Sequence, residues 1–569
     1  MVNPHLQKKQ EGTLTLSQNA KSLFKAVYSK QNKKEPSSEE ESKISVSELI
    51  SKMAFYYEKI RNTVDYQEEY LLRKGAIERI LKRQLIIEGM IKASKSEGIA
   101  KHLLYELIRA GYLPNNKVPE KKMIEVAELV EKHIKLRNLV IPYYGPSLEN
   151  LTNINKRKSK KEIKKGVNDR NELSDWLLDL MASEIEENLG QDTVRETVVN
   201  NMYRDLMETI KPEDEEYEKD LSIQIYLGIH RNFLKFDEGM LSFILFKYYN
   251  GEWKNPSEDD IKNIAGNIDD LRRSIRRQLN HPFKKQLDKI IGRYTVYYSI
   301  LLDLITADPE GKYSEATARP QAFRKAINET YTKKYKEAKS KLWRAAVRSI
   351  IYIFLTKSIF VVILEVPMIR WFGENVDPVA LAINVSFPAV LLLVAVVFTR
   401  VSTEENAKKI IQGVEEIVFK ENKNNSPVYL RKKAGFGKKT GTIFGIFYSI
   451  TFLISFGAVI WVLDKIGFNW VSIIIFLFFL TFASFFAVRI RRIVQQYMVV
   501  ERKENIFTFI LDFFYIPIAA VGKWLSERFS RINVFIFVLD FIIEAPFKVF
   551  VEIAEQWTRY VRERREDLR

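Results

Sequence analysis

The sequence predicts an all-α protein in two parts, an N-terminal cytosolic helical region followed by a C-terminal multi-pass α-helical membrane bundle. Three observations carry this. Four strongly apolar runs lie near 349–369, 378–399, 442–463 and 467–488, and none precedes residue 340. The last two hold no charged residue over about 20 positions, which at ~1.5 Å of rise per residue covers the roughly 30 Å hydrocarbon core of a bilayer. Upstream of them, apolar residues recur at helical spacing, and no stretch alternates long enough for a convincing strand.

Composition narrows the chemistry. Lys and Arg outnumber Asp and Glu by 89 to 72 over 569 residues, a net charge of +17. Beside membrane spans, such an excess points first to anionic headgroups and cytoplasmic placement. Cysteine is absent, which excludes disulfides, thiolate catalysis and Cys-based metal centres. The five histidines (His5, His102, His133, His230, His281) are scattered with no HExxH and no close pair, so each reads as a surface or satisfied core residue. No metal or cofactor is expected. The polar N-terminus lacks an apolar h-region, so no signal peptide is expected, and the front half should remain in the cytosol.

The elements follow in order. Residues 1–44 read as a disordered arm and linker, with 31–42 (QNKKEPSSEEES) too polar to bury a core. Ser45 and Glu48 form a capping box that should open a helix to about Asn62. A second helix is expected over 67–93 on Leu71, Leu72, Ile77, Ile80, Leu81 and Leu85. A third, over 97–110, should end at Gly111. Pro119 suits the first turn of a fourth, with Met123, Val126, Leu129, Val130 and Ile134 as its stripe. These make a small helical domain over 45–140.

Residues 141–171 read as a basic linker whose run 156–165 carries seven positive charges against one Glu. Solvation explains such a run most simply, and anionic lipid next. Nucleic acid is disfavoured because no aromatic residues are interleaved to stack on bases. A second helical domain should fill 172–340, beginning with Trp176, Leu177, Leu180 and Met181. Within it 221–249 should be core, and Ser257 should help open a helix after Pro256. Arg272, Arg273, Arg276 and Arg277 alternate with Leu271, Ile275 and Leu279, as on a solvated helix face.

Orientation comes from the flanks. Residues 331–348 hold seven basic residues and one acid, 370–377 hold one basic residue, and 400–441 hold ten. The next turn is Asp464–Lys465, and Arg489, Arg491 and Arg492 follow the fourth run. Strongly and weakly basic flanks alternate, placing both termini on the cytoplasmic side of the cell membrane. Residues 341–504 thus form a four-span bundle, with Pro388 a kink in the second span. The inner loop should carry an amphipathic helix over 403–420, opened by a capping box of Ser402 and Glu405, with Ile410, Ile411, Val414, Ile417 and Val418 on one face. The stretch 435–441 (GFGKKTG) lacks phosphate-loop spacing, since Lys432 stands where the first Gly belongs and Lys439 where the Ser or Thr belongs. Arg431, Lys432, Lys433, Lys438, Lys439, Arg489, Arg491 and Arg492 are the candidate contacts to anionic lipid. Residues 505–569 offer two further apolar stretches, 506–521 and 534–551, joined by a connection of net charge +2. Asp540, Glu544, Lys548 and Glu552 recur every four residues there. Four spans with two interfacial helices fit the positive-inside rule better than six spans.

Charge inside a bilayer is costly, about 2.5–3.5 kcal/mol at a helix centre, so Lys357, Glu365, Asp512, Asp540 and Glu544 are the candidate functional positions. Lys357 and Glu365 are eight residues apart, about 12 Å along a regular helix, so they are expected not to pair with each other. Asp512 or Asp540 would then serve Lys357, and an ion or proton path would run past Lys357, Glu365, Asp540 and Glu544. The plainer alternative has Lys357 snorkelling and Glu365 at headgroup level beside Pro367. No catalytic constellation is present, so no enzymatic activity is expected. The expected function is a membrane-anchored scaffold or interaction protein at the cytoplasmic face, with a protein partner for its helical region. A homo-oligomeric ion channel or transporter is the alternative.

Overall fold

A computed structural model describes residues 15–32, 42–46, 69–90, 96–144, 160–213, 217–399, 404–419, 427–431, 438–500 and 506–531, with five single positions between 553 and 564. It is helical almost throughout, as expected. Two compact units emerge. One gathers described residues of 25–291 and 425–432, the other those of 1–24, 292–424 and 433–543.

Residues 18–32 form helix α1 (Gln18–Asn32) with Ala20, Leu23, Phe24 and Val27 buried, which corrects the disordered arm expected over 1–44, since these apolar residues share one helical face. The helical unit is built on α2 (Glu69–Met90), α3 (Ser96–Arg109), α4 (Lys121–Val140) and α5 (Lys160–Leu189), followed by α6 (Thr193–Thr209), α7 (Glu218–Asn232), α8 (Glu238–Tyr249), α9 (Glu258–Gly266) and α10 (Ile268–Leu279). Its first core joins Ile77 and Leu81 of α2, Leu103 and Leu107 of α3, Val126 and Val130 of α4, and Met181 and Ile185 of α5. Its second core joins Leu136 and Val140 of α4, Leu173 and Leu177 of α5, Leu227 of α7, Phe243 and Phe246 of α8, and Leu279 of α10. Each such side chain contributes about 1.5–3 kcal/mol when removed from water. Because α4 and α5 line both cores, the two domains expected on either side of 141–171 share their framework. Lys160 to Lys165, read from sequence as part of a linker, lie in the first turns of α5.

Local chemistry sets the ends of these helices. Ser257 and Asp260 form a reciprocal capping box at α9. Asp192 caps α6 and Asp237 caps α8, each accepting from backbone N–H groups of its helix. Helix α8 is apolar on every side, and Gly239 to Phe246 are all buried, which makes it the central helix. The expectation of no strand needs one small correction. Residues Ile210–Pro212 (β1) pair in parallel with Val428–Leu430 (β2), so the loop after the inner-loop helix is stitched to the helical unit. The helix expected over 47–62 lies outside the described residues.

After α11 (Lys284–Ala307) and α12 (Pro309–Ala318), α13 (Pro320–Phe360) of the second unit runs without a break into the first apolar span. A π-helical turn, Val361–Glu365, joins it to α14 (Val366–Trp371). The spans continue as α15 (Pro378–Val397), α17 (Lys438–Lys465) and α18 (Trp470–Gln495). Together these give, among the described residues, four helices long and apolar enough to cross a membrane, as membrane proteins have. Leu453, Ile454, Phe447 and Trp461 of α17 point outward from the bundle, an apolar surface suited to lipid rather than water. Two tight connections, turning at Gly373 (φ +75°) and Gly467 (φ +91°), lie at one end of the bundle, where the Phe372 and Trp470 rings meet at 4.7 Å. Only glycine takes those backbone angles without strain.

The inner-loop helix is α16 (Glu404–Val418), and its buried face includes Ile410, Val414 and Ile417 as the periodicity predicts. That face packs on protein, not on a lipid surface. Tyr297 lies against Gly413, where any side chain would collide with the ring. Arg324 holds Glu415 through two bonds of 2.8–2.9 Å. Asn406 donates to the Tyr331 hydroxyl and the Tyr497 carbonyl and accepts from Val499 and Val500 N–H groups. Of the expected capping box, Glu405 lies in the first turn of α16, while Ser402 lies outside the described residues.

Helix α19 (Ile506–Arg531) also belongs to the bundle. Gly522 approaches the backbone of Thr481 so closely that a Cβ would stand 2.0 Å from its carbonyl oxygen. The Tyr515 hydroxyl donates to Ser484 O at 2.7 Å. This stretch was expected to be interfacial or part of a further hairpin, and its contacts lay it against the middle of α18, where glycine at 522 permits a close backbone approach of the kind common between membrane helices.

Candidate functional site

Lys357 and Glu365 are the only charged residues within the four apolar runs. The structure makes them partners. Lys357 Nζ lies 3.7 Å from Glu365 Oε2, and both side chains are fully buried. This corrects the expectation that they cannot meet. The 12 Å separation assumed a regular helix, and the π turn between them is not one. Its closing bond runs from Val366 N–H to the Val361 carbonyl, five residues back. Pro367 gives the cause, since it lacks the N–H that the Ile363 carbonyl would take and its ring crowds that carbonyl, so the ladder rearranges beside it.

Two further helices furnish the rest of the site. Asn384 of α15 donates its amide to Glu365 Oε1, and Ser472 Oγ of α18 donates to the same oxygen at 2.6 Å. Ser472 lies in the first turn of α18, where Asn469 caps the helix. The carboxylate thus sits near the partial positive charge of a helix N-terminus. The Phe479 ring centroid lies 4.2 Å from Lys357 Nζ, in cation–π range. Pro388 has no N–H to give the Asn384 carbonyl, so that residue also carries a backbone acceptor released from the helical ladder.

The constellation is electrically neutral but incompletely bonded. Lys357 Nζ, Glu365 Oε2 and Asn384 Oδ1 are all buried without a hydrogen-bond partner. The 3.7 Å contact is an ion pair too long to be a hydrogen bond. Chemically, the site can cross-link the first, second and fourth spans, and it retains one donor and two acceptors for a small polar group.

The other sequence candidates fall elsewhere. Asp512 is exposed on α19 and does not serve Lys357. Asp540 and Glu544 lie outside the described residues. Glu365 and Lys357 are both fully buried against protein, so Lys357 does not snorkel. Arg491, read as a lipid contact, instead donates Nε to the Ala395 carbonyl in the last turn of α15 at 3.0 Å. Arg489 and Arg492 are exposed. Arg431 belongs to the helical unit, with its Nε 3.5 Å from Glu213 and its backbone bonded to Gln286. Lys438 and Lys439 begin α17, while Lys432 and Lys433 lie outside the described residues.

Asn384, Ser472 and Phe479 were not singled out from sequence. The available signal was an Asn four residues before a Pro inside an apolar span. A second buried polar cluster was also missed, in the helical unit. Glu184 of α5 accepts from Lys132 at 2.6 Å, His133 Nε2 at 2.7 Å and Trp253 Nε1 at 2.9 Å. Burial alone would raise its pKa, but the bonds and charges of His133 and Lys132 outweigh that and hold it at about 2.

No family model matches the chain, and no curated protein or solved structure matches it either.

Proposed function

We propose that this chain is a multi-pass membrane protein of the cell membrane that presents its helical unit at the cytoplasmic face as a docking platform for another protein. The observation that carries the reading is the enclosed Lys357–Glu365 pair. The only two charges in the apolar runs neutralise each other and tie spans together, which suits an anchor better than a permeation path. The distribution of Lys and Arg over the connections supports cytoplasmic placement of both termini. The helical unit has two cores of its own, and the reading assigns it no catalytic step.

A second reading has one observation in its favour. Three buried polar atoms without a hydrogen bond, two in the pair itself and one on Asn384, would suit a proton- or ion-handling bundle. Proteoliposomes separate the two. The anchor reading expects no proton or potassium flux above that of empty vesicles, and a partner that co-purifies only while 69–291 is intact. A flux abolished by Glu365→Gln would replace it with the second reading. Orientation is checked by labelling, because the chain has no cysteine. Asn375→Cys should react from outside intact cells and Asn424→Cys only after permeabilisation.

A further inference from the structure

A cavity of about 320 Å³ opens in the helical unit where α2, the end of α5, the start of α6 and α7 come together. One wall is a run of rings. Tyr226 and His230 lie 4.2 Å apart, His230 and Phe236 5.3 Å, and Phe236 and Tyr70 5.5 Å between centroids. His230 is only 7 % exposed, yet it lines the cavity. Its Nδ1 lies 2.8 Å from the Tyr226 carbonyl, which can only accept, so Nδ1 carries the proton. Nε2 therefore holds a lone pair, and among the described residues nothing donates to it. Burial, reinforced by the nearby Lys247 charge, lowers the His230 pKa to about 4, so the ring is neutral at pH 7.

The charges around the mouth complete the picture. Glu186 is bound by Arg73, Glu187 by Lys247, and Asp192 by Lys30 and Arg195. Glu196 also lines the cavity and has no cationic partner among the described residues. The cavity thus offers an aromatic wall, a lining imidazole whose Nε2 has no protein donor among the described residues, and a carboxylate, Glu196, with no ion-pair partner among them. A neutral or anionic guest would leave that acceptor or that charge unanswered. A cation with N–H donors and a short apolar body would satisfy all three.

We propose that this cavity is a binding site for a primary alkylammonium group, free or at the end of a lysine side chain, held by Glu196, His230 Nε2 and the faces of Tyr226 and Phe236. The site stands whichever reading of the membrane bundle holds. It is tested on the full-length protein in detergent at pH 7.5, by calorimetry or ligand-observed NMR, with n-butylammonium and N-acetyl-lysine methylamide as probes and n-butanol as the uncharged control. Butylammonium should bind with a Kd on the order of 1 mM, as suits five heavy atoms, and butanol at least tenfold more weakly. Glu196→Gln should weaken butylammonium about tenfold. His230→Phe, which keeps the ring and removes the acceptor, should weaken it several-fold while leaving the melting temperature near that of the native chain. Binding of the capped lysine as well assigns the site to a protein side chain, and its failure beside good butylammonium binding assigns it to a free amine. No butylammonium binding by the folded native chain would overturn the proposal. So would equal binding of butanol, or native affinity in both variants.

Discussion

Two buried carboxylates in this chain meet a lysine, and their surroundings differ in kind. In the helical unit, Glu184 receives Lys132, His133 and Trp253, and Lys132 also donates to the Trp253 carbonyl at 3.1 Å and lies 4.9 Å from its ring. Both carboxylate oxygens are satisfied. In the bundle, Glu365 has one oxygen satisfied twice and the other left with only a 3.7 Å charge contact. The first cluster is closed by hydrogen bonds and behaves as a rigid core element. The second is held by charge and packing, because apolar spans supply few donors. The lesson is that burial alone does not define a buried charge, and the number of donors around it sets how firmly it is held.

The comparison breaks most sharply at Glu184. Replacing it by Ala leaves the buried Lys132 charge with only the Trp253 carbonyl and His133 Nε2 without an acceptor, which should cost about 3–5 kcal/mol. Tryptophan fluorescence during denaturant unfolding of the full chain reads this directly, and a loss under about 1 kcal/mol would break the closed-cluster description. The same cluster predicts a pH dependence. Because folding lowers the Glu184 pKa from 4.5 to about 2, its contribution is complete above pH 4.5 and lost as pH falls toward 2. Acid unfolding of the native chain should be steeper across that window than that of Glu184→Gln.

Two asparagines sharpen the contrast at a smaller scale. Asn406 spends its whole side chain on four bonds, so Asn406→Leu should cost about 1–3 kcal/mol by orphaning the Val499 and Val500 N–H groups. Asn384 already has an unpartnered Oδ1, so Asn384→Leu should cost less, about 1 kcal/mol. Thermal melts of the two variants in one detergent rank them, and the reverse order would contradict the bonding assigned here. The smallest effect belongs to Arg324→Ala. It removes a half-exposed partner of Glu415 and should shift stability by 1 kcal/mol or less on the same melts.

Much of this architecture was legible from the residues. Uncharged runs of about 20 residues admit few alternatives to spans, and the apolar face of α16 follows from helical spacing alone. The site itself was half legible. Lys357 and Glu365 stand out because charge in an apolar run is expensive, but their pairing depends on a π turn that no periodicity announces. Pro367 was the clue, since a proline forces the ladder before it to rearrange. Asn384 and Ser472 carry no charge and do not interrupt an apolar run, so only packing reveals that both bond to one carboxylate oxygen. The wrong placement of Arg491 has the same origin. A basic residue at the end of a span reads as a headgroup contact until a neighbouring helix offers the Ala395 carbonyl.

Lys357 and Glu365 act as one neutral pair, and a double-mutant cycle tests that most directly. Lys357→Met and Glu365→Gln each strand a buried charge and should each cost about 3–5 kcal/mol, while the double variant should recover most of that loss. Unfolding free energies in a single detergent should therefore show a coupling of at least about 2 kcal/mol. Additive losses, with a double variant as unstable as the sum of the singles, would contradict the pair.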